Sequence, residues 1–567
     1  MPEAAPDGER TEPTQEMLQR NPEKLSSTTF DLVVIGGGIN GASTAREAAL
    51  RGMKAALVDA GDFAAATSSR SSKLIHGGLR YLEQFEFRLV REARRERRLL
   101  RELAPHLARP VPFLVPIYHG DPYSPLKIRL GLTIYDLLGN LGTSDRHQML
   151  SKDELLRRVP SLRTDGLRAG ALYHDSETDD ARLTIENIID AANHGALVAN
   201  YAEIRSFKLD KRKSNRPPVV ESAELEDRRT GRRYEISSRF WVNATGPWVD
   251  HVRGLLPGYD GSKTVRLTKG THIVIPPVAG EFAMFAAILS GKRIFVMIPW
   301  HGQALLGTTD TDYDGDPARV SPDTEDVEYL LGAINRVLRE PLKTSDVIGA
   351  YAGLRALAIQ PGASPSENTR EYRFHQDPWA ANLITVCGGK LTTSRSLGEK
   401  LVDQVVTNLP GSLPASWAEH PTRKTPLPGG HTNDFEHYLK DAAADAVRLF
   451  NIPPAAAERI VRTYGTRWQQ VLEPIRRDRK LADPLPGCSA CLGAEVVFAI
   501  ENEMALELDD FLLRRSGLNW YAAHVLREAV PRVAEIFAEK LGWDRAQIER
   551  AVSEFRGSRH FCAEASR

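Results

Sequence analysis

At 567 residues the chain is longer than one hydrophobic core usually organises, so two or three domains are expected. Lys plus Arg (74) equals Asp plus Glu (74), a formal charge of zero that excludes the basic footprint of a nucleic-acid-binding protein. Four cysteines exclude a disulfide framework and suit a reducing compartment, and no apolar run approaches the ~20 residues that span a bilayer.

Residues 1–28 are polar, with prolines and charges but no apolar centre of a secretory signal, and read as a disordered leader. The strongest pattern follows. Asp31 to Ile35 is a short apolar strand, and Gly36, Gly38 and Gly41 fall in G-x-G-x-x-G spacing. A helical pattern (Ile39, Ala42, Ala45, Ala48, Ala49) runs to Gly52, and a second strand, Lys54 to Val58, ends at Asp59. The first glycine permits a tight turn, the second lets the backbone approach a pyrophosphate, and the third lets helix pack on strand. The helix N-terminus offers N–H groups and partial positive charge to phosphates, and the Asp59 carboxylate can accept ribose hydroxyls. With strand, helix, second strand and acid in register, this is a dinucleotide grip.

Arg88 to Arg101 holds seven arginines with glutamates among them, the pattern of a solvated helix face. Leu126 to Leu138 is apolar with basic residues at one end. It is too short to span a membrane, but can lie in the interface or serve as a core helix. Residues 208–235 alternate short strands with charged turns, which suits a hairpin at a sheet edge. Phe240 to Thr245 is a strand running into Gly246-Pro247-Trp248. Leu383 to Cys387 opens onto Gly388-Gly389-Lys390-Leu391-Thr392-Thr393 and then a helix through Leu397 and Leu401. An extended FAD needs contacts beyond its diphosphate, and these two segments argue for a flavin over NAD.

The nucleotide-binding pieces, about 30–100, 180–260 and 345–405, are thus interrupted by inserts at about 105–175 and 262–345. The second insert holds strand-like runs such as Val265–Leu267, Thr271–Ile275, Arg293–Ile298 and Ala304–Gly307. The inserts read as a cap on an antiparallel sheet, within one oxidoreductase domain of residues 29–420. Proline and glycine mark 421–434 as a linker, and helical patterns over 435–560 predict an all-helical C-terminal domain. Cys488-Ser-Ala-Cys491 has neither the partners of a zinc site nor a thioredoxin-like setting, and reads as two small structural cysteines; no metal is expected.

Thr67-Ser-Ser-Arg-Ser-Ser-Lys-Leu-Ile-His-Gly-Gly-Leu-Arg-Tyr-Leu-Glu83 closely resembles the signature of FAD-dependent glycerol-3-phosphate dehydrogenases. So do Asn243-Ala-Thr-Gly-Pro-Trp248, Gly307-Thr-Thr-Asp310, Gly353-Leu-Arg355, Thr369-Arg370 and Gly388-Gly-Lys-Leu-Thr-Thr393, in the family's order. The resemblance implies an α/β fold: a discontinuous Rossmann-like FAD domain, an antiparallel β-rich substrate cap like that of D-amino-acid oxidase, and the helical C-terminal domain. It implies oxidation of sn-glycerol 3-phosphate to dihydroxyacetone phosphate, with electrons passing through FAD to a membrane quinone. An oxidase using oxygen and a non-catalytic flavin scaffold or sensor are the alternatives.

On the same ground, Arg80, Arg355 and Arg370 are expected to clamp the substrate, with Lys390 facing flavin or substrate, His76 as general base and Tyr81 adding a hydrogen bond. FAD contacts are expected from Gly36, Gly38, Asn40, Gly41 and Asp59, then from Thr67, Ser68, Ser72, Lys73, His76 and Gly77. Further contacts are expected from Ala244, Gly246, Thr308, Asp310 and Arg355, and from Gly389, Lys390, Leu391 and Thr392. Ala356, where proline is common, and Ser394, where an aromatic would be unsurprising, depart from the pattern and bear on substrate preference. The missing signal and spanning helix point to the cytoplasmic side. A quinone acceptor would then require peripheral attachment to the inner membrane surface, and a homodimer is permitted.

Overall fold

A computed structural model describes residues 18–84, 86–138, 146–210, 218–287, 294–359 and 372–558. Its first sheet places Thr29–Ile35 at the centre, between Arg233–Asn243 and Ala55–Val58, with Leu383–Cys387 and Leu197–Ala199 further out. These five strands run parallel, and Val34 lies opposite both Val242 and Leu57. Such strands are covered on both faces, which is why Leu32–Ile35, Ala55–Val58 and Phe240–Val242 read as unbroken apolar runs. The helices Ile39–Leu50, Asp180–Asn193 and Ser394–Asn408 supply one cover. Gly398 lets two of them meet, since a Cβ there would sit 2.7 Å from the Ser43 carbonyl oxygen. The expected edge hairpin is an antiparallel meander of Ala202–Asp210, Val219–Asp227 and Arg233–Asn243.

The second, ten-stranded sheet is the cap. It is antiparallel except where Ala283–Ala287 runs beside Arg109–Tyr118. Its composition corrects two boundaries. Gly349–Ala358, placed with the nucleotide-binding piece 345–405, pairs along its whole length with Val265–Ile275. Leu74–Ile75, inside the piece 30–100, pairs with Ser176 and Glu177. The chain therefore crosses between the sheets more often than the composition shifts suggest.

Three other expectations are corrected. Residues 18–28 are ordered: Pro22–Ser26 is helical, Leu18 and Leu25 are buried, and Arg20 pairs with Asp227 at 2.6 Å. Within the arginine-rich helix Phe87–Leu103, Arg97 is buried on Asp175 at 2.5 Å and Arg94 donates to the Tyr135 carbonyl. That helix has a buried basic face. The 421–434 segment is packed: Thr422 bonds Glu47, Leu427 is buried, and a Cβ at Gly429 would meet the Tyr464 carbonyl oxygen at 2.3 Å.

The C-terminal helices bury a core of their own around Ile460, Val471, Phe498 and Phe537. They also include a short hairpin, Pro484–Leu485 with Cys488–Leu492, where Cys491 is buried and both cysteines are free thiols. Among the described residues no helix is long and apolar enough to cross a membrane.

Candidate active site

A cavity of about 1030 Å³ is lined by both sheets. At one end lies the glycine turn. Gly36 has φ +109°, and a Cβ there would stand 2.7 Å from the Ala244 carbonyl oxygen, so only glycine fits. Gly36, Gly38 and Asn40 face the cavity. The helix they open has glycine as its N-cap and no acid in its first turn, which leaves its positive end to an anion. The Ile39 amide donates to Ser68 Oγ at 2.9 Å, and Asn40 Nδ2 donates to the Gly388 carbonyl at 3.1 Å, tying the two glycine loops together. Thr67 Oγ1 donates to the Leu354 carbonyl at 2.7 Å.

Asp59 lines the same end and accepts the Gly37 amide at 2.6 Å and the Gly61 amide at 2.8 Å. Burial pushes its carboxyl up to about 6 from the ordinary 3.8, outweighing those two bonds. The raised value means that ionised Asp59 costs the apoprotein stability above pH 6, a cost relieved as pH falls toward 4. Ribose hydroxyls favour the ionised form, so FAD must displace a proton below pH 6. The FAD dissociation constant is therefore expected to rise toward about tenfold per pH unit below that point. Fluorescence titration between pH 5 and 7.5 checks this, and Asp59→Asn should flatten the dependence.

At the other end, Ser72, His76, Tyr81, Thr308, Asp310, Arg355, Gly389, Lys390, Leu391 and Thr392 line the cavity, with Ala244 and Gly246 along it. The His76 amide donates to Thr392 Oγ1 at 3.1 Å. Arg355 donates to Thr308 Oγ1 at 2.9 Å and to Asp310 Oδ1 at 3.3 Å. Lys390 Nζ lies 3.9 Å from the centroid of the Tyr81 ring, buried and without a hydrogen-bond partner among the described residues.

Sequence reasoning missed His272. It faces the cavity from Val265–Ile275, stacks on Tyr351 at 5.1 Å and holds Ser72 Oγ at 2.8 Å through Nε2. Its Nδ1 is buried and has no hydrogen-bond partner among the described residues. Burial, then the charges of Arg355 and Lys73, push its imidazole down to about 3, so it is neutral at physiological pH. A histidine that closes the polar half of the strand, just before Ile273-Val274-Ile275 and two residues after Gly270, was the available signal.

Three expected cofactor contacts lie elsewhere. Lys73 is buried on Asp180 at 2.5 Å, because its backbone at φ +52° turns the side chain behind the site. Gly41 and Gly77 are packing glycines, whose added Cβ would meet the Gly36 carbonyl oxygen at 1.9 Å and the Tyr135 hydroxyl at 2.0 Å. The Arg80 side chain, and Thr369 and Arg370, lie outside the described residues.

The residues fit FAD. A helix N-terminus without an acid in its first turn and a close-approach glycine suit a diphosphate, and a carboxylate with two ordered oxygens suits a ribose. Asn40 Oδ1 and Lys390 Nζ, without a hydrogen-bond partner among the described residues, are buried polar atoms that a bound group would satisfy.

Comparison with known proteins agrees. Residues 31–404 match the FAD dependent oxidoreductase family, and residues 420–548 match the C-terminal domain of alpha-glycerophosphate oxidase. The aerobic glycerol-3-phosphate dehydrogenase of Staphylococcus haemolyticus is 35% identical over 95% of both chains. The glycerol-3-phosphate dehydrogenase of Synechocystis is 34% identical over 94% of this chain and 97% of its own. The crystal structure of the glycerol-3-phosphate dehydrogenase from Bacillus halodurans complexed with FAD superposes with a TM-score of 0.76 at 28% identity, covering 96% of this chain and 97% of that one. The L-alpha-glycerophosphate oxidase from Mycoplasma pneumoniae with FAD bound shares the fold at a TM-score of 0.52 and 16% identity, over 68% of this chain and 96% of its own.

Proposed function

We propose, from the premise that this chain belongs to the FAD-dependent oxidoreductase family and within it to the glycerol-3-phosphate dehydrogenases, that it oxidises sn-glycerol 3-phosphate to dihydroxyacetone phosphate. FAD, when bound, supplies the two-electron acceptor. The observation that carries the reading is the meeting, in one cavity, of Arg355 and Lys390 with two imidazoles, His76 and His272. A dianionic phosphate taken from water needs charge-assisted partners, and the planar fork of arginine serves best. Arg355 and Lys390 hold it, joined by Arg80 and Arg370, with Tyr81 adding a hydrogen bond. The proton of the secondary hydroxyl goes to an imidazole. His76 is the acceptor that the family resemblance implies. His272 is the second: with Nε2–H donating to Ser72, Nδ1 is an acceptor, and a substrate dianion beside it would raise its basicity.

Anaerobic addition of sn-glycerol 3-phosphate should bleach the flavin, and a spectrum unchanged at saturation would overturn the reading. His76→Ala and His272→Ala in the same experiment identify the proton acceptor. Reoxidation then separates the acceptors of electrons: a short-chain quinone for a dehydrogenase, or stoichiometric peroxide in air for an oxidase.

A quinone acceptor requires membrane contact, and the helix Pro125–Leu137 supports it. Leu126, Leu130 and Leu137 are 75%, 60% and 56% exposed, beside exposed Lys127 and Arg129. Leu132, at 2%, belongs to the core, so the stripe differs from the one that hydrophobicity alone suggests. Each leucine buried in lipid contributes up to about 1.5–3 kcal/mol, enough together for reversible attachment. Leu126→Glu with Leu130→Glu should release the protein from anionic vesicles and slow quinone reduction while sparing reduction of a soluble dye. Unchanged vesicle binding would place the contact elsewhere.

A further inference from the structure

The nucleotide end of the cavity is held by more than the two sheets. After Asp59 the chain folds back on the glycine turn. The Ala64 amide donates to the Gly37 carbonyl at 3.0 Å, and Phe63 packs where a Gly37 Cβ would stand. Asp59, Ala60, Gly61 and Ala64 face the cavity, whereas Asp62 meets the C-terminal domain. Its buried carboxylate accepts Arg514 Nε at 2.5 Å, Arg515 Nη2 at 3.0 Å together with Arg515 Nη1, and Asn200 Nδ2 at 3.2 Å.

Arg514 and Arg515 are consecutive, and a regular helix would splay them by about 100°. The wider π turn Asp510–Arg515 brings both onto one carboxylate. The turn is itself anchored. Asp510 accepts the amides of Leu506 and Glu507 at 2.7 and 2.9 Å, Arg514 Nη2 at 2.6 Å and the Tyr201 hydroxyl at 2.7 Å. The Tyr201 amide, in turn, donates to the Gly61 carbonyl at 2.8 Å. The 59–65 loop is thus gripped twice from the far domain, at Asp62 directly and at Gly61 through Tyr201. A buried π turn departs from the cheaper α geometry, and such turns are found most often at functional sites.

We propose that this π turn is part of the cofactor-holding apparatus. By closing Arg514 and Arg515 on Asp62, the C-terminal domain fixes the 59–65 loop in the geometry that grips the ribose next to adenine. FAD affinity then depends on a domain none of whose described residues lines the cavity. Asp62, Arg514, Arg515 and Tyr201 are positioning residues, acting on the cofactor through Asp59 and Gly61. Removing one partner leaves an uncompensated buried charge, which the loop can escape only by moving.

The test uses the full chain, stripped of FAD and retitrated by flavin fluorescence. Asp62→Asn and Arg514→Gln should each raise the FAD dissociation constant at least about tenfold, while the reduction rate at saturating FAD stays within about twofold. The dissociation constant is read on folded apoprotein, so lost folding stability alone lowers Tm without moving it. A constant within about twofold of the parent in a folded variant, whatever its Tm, overturns the proposal. Tyr201→Phe removes only the hydroxyl on Asp510 and decides the matter where the charge variants fail to fold. It should weaken FAD binding about two- to twelvefold, the net worth of one hydrogen bond, and an unchanged constant overturns the proposal.

Discussion

Replacing Arg355 with alanine is expected to lower kcat/KM for sn-glycerol 3-phosphate by about 30-fold to several thousand-fold, with FAD still bound. The estimate follows from a loss of ~2–5 kcal/mol when a buried charge pair loses one partner. Arg355 stands on a strand of the cap sheet and donates to Thr308 and Asp310, which also line the cavity, and to the Thr309 carbonyl. FAD retention should survive, because the glycine turn and the 59–65 loop belong to the other sheet. Most of the loss should appear in KM, since the phosphate is bound in ground and transition states alike. Arg355→Lys keeps the charge but not the fork and should fall between. Steady-state kinetics with a soluble dye acceptor measures both, and a change below about twofold for alanine would place the phosphate elsewhere.

Gly41→Val should yield protein without flavin. A Cβ at Gly41 would sit 1.9 Å from the Gly36 carbonyl oxygen, and both atoms belong to backbone that cannot rotate away. Either the helix lifts from the strand or the turn opens, and each removes the geometry that approaches the diphosphate. A loss of FAD affinity of at least about a hundredfold is expected, ~2.7 kcal/mol. Ultrafiltration followed by flavin absorbance of the retained protein measures it. Gly131→Ala is the control: nothing lies within 4 Å of a Cβ there, in a helix where alanine is favoured, and flavin content should not change.

What could be read in advance follows from the range of the interactions. The glycine turn, its flanking strands and Asp59 are coded within about thirty residues, and local spacing suffices. Sheet membership is not local. Gly349–Ala358 looks like any apolar strand, and only its pairing with Val265–Ile275, far upstream, assigns it to the cap. Lys73 lies within the run Thr67 to Glu83, which reads as one functional stretch, whereas its own left-handed backbone sends that ammonium to Asp180. His272 is not legible in advance because one ring among the polar residues of its strand carries no spacing. Its neutrality arises from burial and from cations contributed by distant segments.

The parallel order of the nucleotide sheet also bears on the protein's birth. Thr29–Ile35 and Ala55–Val58 leave the ribosome early, but Leu383–Cys387, the last strand of the parallel order, follows roughly 330 residues later. At about 5–20 residues per second, that is a delay of roughly 15 to 65 seconds. For about the last 140 of those residues the edge of Arg233–Asn243 that Leu383–Cys387 covers stands unpaired. The flavin therefore joins a finished chain, and low-temperature expression with abundant riboflavin should raise the soluble yield less than co-production of a chaperone that shelters nascent strands.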